Sequence, residues 1–360
     1  MSTIRAVTLR NGVKMPLVGL GTYRVRDQAL VDTCVLEGLR AGYRLIDTAT
    51  VYRNEHMIGN ALKRIFAENL IPGLKREDIF ITSKLAPIDQ GYDACYKAVM
   101  KSINALQVDY IDCYLIHWPG TQRVKPSSPQ NAVNRAESWR ALEDHYHAKR
   151  LRAIGVSNYT TTHLLAMERR AQGEGGTSTS TSNAVLPHVH QFEMHPRLLQ
   201  NDLMALCQRL GIQVQAYSSL GEGRLVIPAA ALQEHVHKLG QNNNPDGRGA
   251  LPIMGDLIRK YFPTDVSSSA AAGAAGAAAG AMGVGEITAA EYGKRAAQIL
   301  LRWGIQHGAV VIPKSTNRQR IWDNFDLFGF ELDPQDMAAL DAYSEGEERT
   351  RYCWDPTLIQ

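Results

Sequence analysis

Short apolar runs alternate along most of this chain with longer segments in which apolar residues recur every three to four positions. The short runs lie at residues 15–19, 44–47, 79–83, 111–117, 151–156, 189–193, 213–217 and 309–313, and each reads as a buried strand. Helical periodicity occupies 27–40, 55–68, 92–106, 137–149, 161–170, 202–210 and 292–306. Strands apolar on both faces and separated by helices imply a parallel sheet wrapped by helices. Eight such units favour closure into a (β/α)8 TIM barrel over an open sheet.

The punctuation agrees with this parse. Gly42, Gly211 and Gly308 fall between a helix and the next strand, where a left-handed cap is needed. Asn11-Gly12 between alternating segments predicts an N-terminal β-hairpin.

Two segments break the rhythm of what otherwise reads as one barrel domain over 1–360. A Gly/Ser/Thr-rich stretch at 171–184 is expected to be a flexible loop insertion. A low-complexity insertion at 240–287, with repeated Ala and Gly, offers little apolar bulk and is expected to be a mobile surface excursion without regular structure.

Of the 360 residues 44% are hydrophobic, enough for a large core, while 39 Lys+Arg against 36 Asp+Glu leave a net charge of only +3. That balance gives no global field for nucleic acid or an anionic membrane, so any anion site must be local. The five cysteines form no Cys-x-x-Cys pair, the first residues lack the apolar core of a secretory signal, and no apolar run reaches the ~20 residues of a membrane span. These features predict a cytoplasmic protein with reduced thiols.

The polar residues are informative by position. Asp47 and Tyr52 follow the second strand, Lys84 the third, His117 the fourth, Ser157 and Asn158 the fifth, Tyr217 and Ser218 the seventh, and Lys314 and Ser315 the eighth; Gln191 lies within the sixth. In a parallel barrel all carboxyl ends share one face, and that face carries the active site. His188, His190 and His195 alternate as on a strand but lack a completing carboxylate or cysteine, so no metal site is expected. Trp303, Trp322, Phe325 and Phe330 read as core.

The blocks Gly19-Leu-Gly-Thr22, Asp47-Thr-Ala-Thr-Val-Tyr52, Ile81-Thr-Ser-Lys84, Leu115-Ile-His-Trp-Pro119, Gly155-Val-Ser-Asn158, Gln191-Phe-Glu-Met-His-Pro196, Ala216-Tyr-Ser-Ser-Leu-Gly221, Ile312-Pro-Lys-Ser315 and Arg320-Ile-Trp-Asp-Asn324 together resemble the aldo-keto reductases. The resemblance implies a barrel enzyme that reduces small-molecule carbonyls with NADPH, often as a monomer.

On that resemblance Tyr52 is the general acid, and Asp47, Lys84 and His117 are its partners. A phenol of ordinary pKa ~10 holds its proton firmly at neutral pH; a Lys84 ammonium would lower that pKa, Asp47 would anchor Lys84, and His117 would orient the carbonyl. Thr22 falls among the implied cofactor residues. Ser157, Asn158 and Gln191 are implied to bond the nicotinamide carboxamide, Tyr217 to stack on the ring, and Ser218 and Leu220 to run beside the pyrophosphate. Lys314, Ser315 and Arg320 would meet a 2′-phosphate, and Asp323 and Asn324 the adenine. A Rossmann fingerprint is excluded because Arg24 stands where the third glycine belongs.

Glu222 after Gly221 departs from the pattern and would bring an acid toward the pyrophosphate. Tyr23 and Trp118 are expected as substrate-pocket walls. The loop at 118–134 and the tail at 344–360 would set the substrate, with Arg349, Arg351 and Trp354 able to clamp an acidic or an aromatic carbonyl. The reading from another class is an NADPH-binding regulatory subunit with little turnover.

Overall fold

The computed structural model describes residues 5–173, 184–228, 249–263 and 287–360. Two short antiparallel strands, β1 (Ala6–Thr8) and β2 (Lys14–Pro16), form the hairpin expected around Asn11-Gly12. Eight parallel strands follow: β3 (Gly19–Gly21), β4 (Leu45–Asp47), β5 (Phe80–Leu85), β6 (Ile111–Ile116), β7 (Leu151–Ser157), β8 (Val189–Glu193), β9 (Gln213–Tyr217) and β10 (Val310–Val311). Neighbours in sequence are neighbours in the sheet, and parallel bridges from Val18 to Val311 and from Gly21 to Lys314 join its two edges. A side chain at Gly21 would meet the Ile312 carbonyl oxygen at 2.7 Å, so closure requires glycine there.

Helices Gln28–Ala41, Glu55–Ala67, Tyr92–Leu106, Gln130–His147, Thr161–Ala171, Asn201–Leu210 and Ala289–Gln306 lie between or after the strands. Gly42, Gly211 and Gly308 adopt the left-handed φ values of 114°, 65° and 78° that the helix-to-strand turns require. With these elements the chain is a (β/α)8 TIM barrel with an N-terminal hairpin.

Along each strand alternate residues face the same side, and the inward set changes character from one end to the other. Leu45, Phe80, Cys113, Leu115, Ala153, Val189, Val310 and Ile312 form an apolar cluster into which Leu9 and Met15 of the hairpin pack. Two residues further along their strands come Asp47, Thr82, His117 and Gln191. The outward set, among them Ile46, Ile81, Tyr114, Ile154 and Val156, belongs to the larger core under the helices. The hairpin therefore plugs the amino-terminal end and leaves the carboxyl-terminal end polar.

Several boundaries differ from expectation. The run at 15–19 is split: Met15 and Pro16 belong to β2, and the barrel strand begins at Gly19. An unbroken apolar run cannot reveal where the chain leaves a hairpin and enters the barrel. The fourth helix begins at Gln130, because Asn131 binds back to the loop, accepting from the Thr121 amide at 2.9 Å; the loop after His117 is correspondingly shorter. Trp322 is 41% exposed, with its indole N–H donating to Glu37 at 3.0 Å, so it is not core.

Within the insertion expected at 240–287, residues 254–261 form a helix, Met254–Tyr261, that buries Met254, Leu257 and Ile258. The helical spacing of those three gives the segment an apolar face, which its Ala/Gly-rich surroundings mask. Residues 240–248 and 264–286 of that insertion, and residues 174–183 of the loop at 171–184, lie outside the described residues.

Ile258→Ala should lower stability by about 2–5 kcal/mol in chemical denaturation, the cost of emptying a packed core position. A change within 0.5 kcal/mol, roughly that of a surface substitution, would mean that this helix does not belong to the core.

Candidate active site

The strand ends place Asp47, Lys84, Gln191 and His117 around the barrel mouth. Lys84 is fully buried, and its ammonium donates to Asp47 Oδ1 at 2.7 Å and to the Thr48 carbonyl at 2.8 Å. Asp47 Oδ2 accepts from Gln191 Nε2 at 2.7 Å. Tyr52 ends a single 3-10 turn, Thr50–Tyr52, directly after β4, and Thr50 Oγ1 ties that turn to the Lys84 carbonyl at 3.0 Å. The Lys84 ammonium lies 5.0 Å from the Tyr52 ring centre, and the His117 ring lies edge-on to Tyr52 at 5.7 Å.

Burial dominates the protonation of this group. It raises Asp47 and lowers Lys84, each partly offset by the other's charge. It also holds His117 well below the usual histidine value, with the Lys84 charge adding to the effect, so the imidazole is neutral. Its Nδ1 is buried and has no partner among the described residues.

Tyr52 departs from expectation. Burial, and then the Asp47 carboxylate, push the phenol well above its ordinary value rather than below it. The Lys84 charge is already balanced by Asp47, so little of it remains to stabilise a phenolate.

The residues expected at a nicotinamide are bonded largely to one another. Asn158 Nδ2 donates to the His117 carbonyl at 2.9 Å and to Ser157 Oγ at 3.0 Å, and Asn158 Oδ1 accepts from the Tyr217 hydroxyl at 2.6 Å. Gln191 Nε2 donates to Asp47 Oδ2 and to Gln215 Oε1, the latter at 2.9 Å, so one amide hydrogen braces the carboxylate and the other goes to Gln215. Gln215, fully buried on β9, was not singled out from sequence; its place two residues before Tyr217 on the inward face was the available signal. Thr22 donates through Oγ1 to the Asp47 carbonyl at 2.8 Å. Leu220 packs on the core, and Ser218 takes a left-handed φ of 51° with its hydroxyl 3.3 Å from Cys353 Sγ.

Beyond β10, Ser315 Oγ accepts from the Asn317 amide at 3.1 Å, and a short helix, Arg318–Asp323, begins. The Lys314 pKa is lowered by partial desolvation of its ammonium and by the charges of Arg24 and Arg320. Among the described residues none of these three cations forms an ion pair with a carboxylate, and sequence reasoning missed Arg24 as the third. Asp323 accepts from Gln319 at 3.0 Å, and Asn324 is buried at the end of that helix. Glu222 is engaged by buried Arg224 at 3.2 Å, which offsets its charge.

Tyr23, 44% exposed, packs on Tyr52 with ring centres 5.1 Å apart, and half-buried Trp118 meets Trp354 edge-on at 6.2 Å. The three histidines serve structure: His188 and His190 accept from the Ile154 and Tyr159 amides, and His195 pairs with Glu193 at 3.0 Å. Among the described residues no group of three His, Cys, Asp or Glu could hold a metal, and no helix is long and apolar enough to cross a membrane. A separate recess of about 600 Å³, lined by Leu62, Phe66, Arg76 and Val108, lies where the chain enters β5 and β6, at the end opposite the chemistry.

Residues 17–345 match the model of the aldo/keto reductase family. The chain belongs to that family. This aldo/keto reductase is 34% identical over 341 residues to the glyoxal reductase of Bacillus subtilis, covering 95% of this chain and 93% of that one. It is 33% identical over 339 residues to the 9,11-endoperoxide prostaglandin H2 reductase of Trypanosoma cruzi, covering 94% and 91% respectively. The crystal structure of a Bombyx mori aldo-keto reductase in complex with NADP superposes with a TM-score of 0.71 at 30% identity, covering 98% of this chain and 96% of that one.

Removing one member of the Asp47–Lys84 pair should leave a buried charge uncompensated. Asp47→Asn is expected to destabilise the protein by about 3–5 kcal/mol, and the Asp47→Asn/Lys84→Met double variant should recover part of that loss. Denaturation midpoints of the four proteins in this cycle measure it, and strictly additive effects would show that the two groups are not coupled.

Proposed function

We propose that this aldo/keto reductase reduces aldehydes and ketones to alcohols with NADPH, and that Tyr52 supplies the proton. The observation that carries this reading is the juxtaposition of Tyr52 with the buried Lys84–Asp47 pair and a neutral His117 at the barrel mouth. Bound NADPH supplies hydride. Lys314, Arg320 and Arg24 suit its 2′-phosphate, since three cations without carboxylate partners among the described residues call for an anion. Tyr217, held by Asn158, offers a fixed ring face for the nicotinamide. Ser157 and Gln191 frame the adjoining wall, Thr22, Ser218 and Leu220 line the path of the pyrophosphate, and Ser315, Asp323 and Asn324 adjoin the adenosine.

A phenol held fully protonated is in the form required of an acid. The alkoxide produced by reduction is a far stronger base than an ordinary phenolate, so a protonated phenol beside it can serve as its acid. Neutral His117 can donate one hydrogen bond to the carbonyl oxygen, and the Lys84–Asp47 pair backs the Tyr52 ring and holds it in place. Tyr23 and Trp118 form the walls of the substrate pocket. The glyoxal reductase relative makes small dicarbonyls sensible substrates to test.

NADPH oxidation measured against a panel of aldehydes should be accelerated well above solvent background. Tyr52→Phe should retain cofactor affinity while lowering kcat at least ~10²-fold, the lower bound for losing a general acid. Tight NADPH binding with no turnover on any aldehyde would favour the regulatory-subunit reading instead.

Lys314→Met should weaken NADPH binding more than NADH binding in fluorescence titration. Equal weakening of the two would remove the 2′-phosphate from Lys314.

A further inference from the structure

The tail crosses the barrel mouth and is secured at both ends. At its far end Arg135 donates to the Gln360 carbonyl at 2.9 Å, the Gln360 amide donates to the Pro126 carbonyl at 3.0 Å, and His163 Nε2 lies 3.1 Å from the Ile359 carbonyl oxygen. At the near end the support is Glu193, the last residue of β8. Its side chain is wholly buried, with Oε1 accepting from the Tyr352 amide at 2.6 Å and Oε2 from the Cys353 amide at 3.0 Å. His195 Nε2 holds Oε1 at 3.0 Å, and Arg351 approaches Oε2 at 3.8 Å.

Two consecutive backbone amides on one carboxylate fix the direction in which the chain leaves. Cys353 then meets Ser218, and Trp354, 81% exposed, stands edge-on to Trp118. Arg351 bonds Gln200 at 3.3 Å and approaches the carboxylates of Glu193 at 3.8 Å and Asp355 at 3.9 Å, so its charge is already engaged within the chain. Two aromatic pairs stand at the mouth beside the polar group, Tyr23 on Tyr52 and Trp118 on Trp354.

We propose that Glu193 is a positioning residue whose buried carboxylate sets Cys353 and Trp354 as one wall of the substrate mouth, and that this wall favours planar aromatic carbonyls over small aliphatic ones. The selectivity part rests on the reductase reading above; the anchoring part does not. Glu193 touches no reacting atom in this scheme, so its loss acts on how substrate is held and not on the proton from Tyr52.

The test uses full-length Glu193→Ala, Glu193→Gln and Trp354→Ala proteins. Cys353 is the one half-exposed cysteine, while Cys34, Cys95, Cys113 and Cys207 are buried, so an aromatic disulfide reagent reports on the tail in the folded state. Glu193→Ala should speed labelling of Cys353 at least ten-fold, roughly the effect of losing one charge-assisted hydrogen bond. Glu193→Gln, which keeps one acceptor, should fall between Glu193→Ala and wild type, and Trp354→Ala should label as wild type does.

With NADPH, both Glu193→Ala and Trp354→Ala should raise KM for benzaldehyde roughly ten-fold, the upper range for losing an aromatic contact, while kcat for acetaldehyde is retained. Wild-type labelling rates in both Glu193 variants would overturn the anchor. Equal losses on both aldehydes would make Glu193 merely structural. If the wild-type protein binds NADPH but reduces neither aldehyde, the reductase reading and the selectivity fall together, and the labelling arm still decides the anchor. If Glu193→Ala does not fold, Glu193→Gln labelling decides it.

Discussion

A lysine ammonium with no access to water is the constraint on which the rest of the mouth depends. Its desolvation is tolerable because Asp47 and the Thr48 carbonyl replace the lost solvent at hydrogen-bond distance, and Asp47 is in turn held by Gln191, whose amide also donates to Gln215. These groups arrive on β4, β5, β8 and β9, so the site exists only when the sheet is closed and in register. The apolar plug beneath it, completed by Leu9 and Met15, keeps water from entering at the other end.

Much of this was legible in the sequence because the period-2 pattern of a strand and the position of its last residue are both local. Asp47, Lys84 and His117 could be assigned to one face from their order alone, once eight strands implied a barrel. The first strand was misplaced because a continuous apolar run does not say where one sheet ends and the next begins. The helix Met254–Tyr261 was hidden because its few large apolar residues sit among low-complexity neighbours, and only burial identifies them as a face.

The electrostatics were less legible than the geometry. A lysine near a phenol suggested a lowered pKa, but the sign depends on how much of the lysine's charge remains after Asp47 has engaged it and on how deeply the ring is buried. Neither quantity is encoded in residue spacing. The same holds for Arg24, a misfit to a glycine fingerprint in sequence and, in space, a third cation beside Lys314 and Arg320.

The seam that closes the barrel carries a consequence for how the molecule is made. Val18 and Gly21 meet Val311 and Lys314, so the first barrel strand has no neighbour on one side until the last strand has left the ribosome. During synthesis β3 presents an open edge while the intervening strands are laid down one by one, and contacts so distant in sequence form slowly. The hairpin turns back at Asn11-Gly12 and donates Met15 to the interior, giving the nascent chain an early local structure beside that edge.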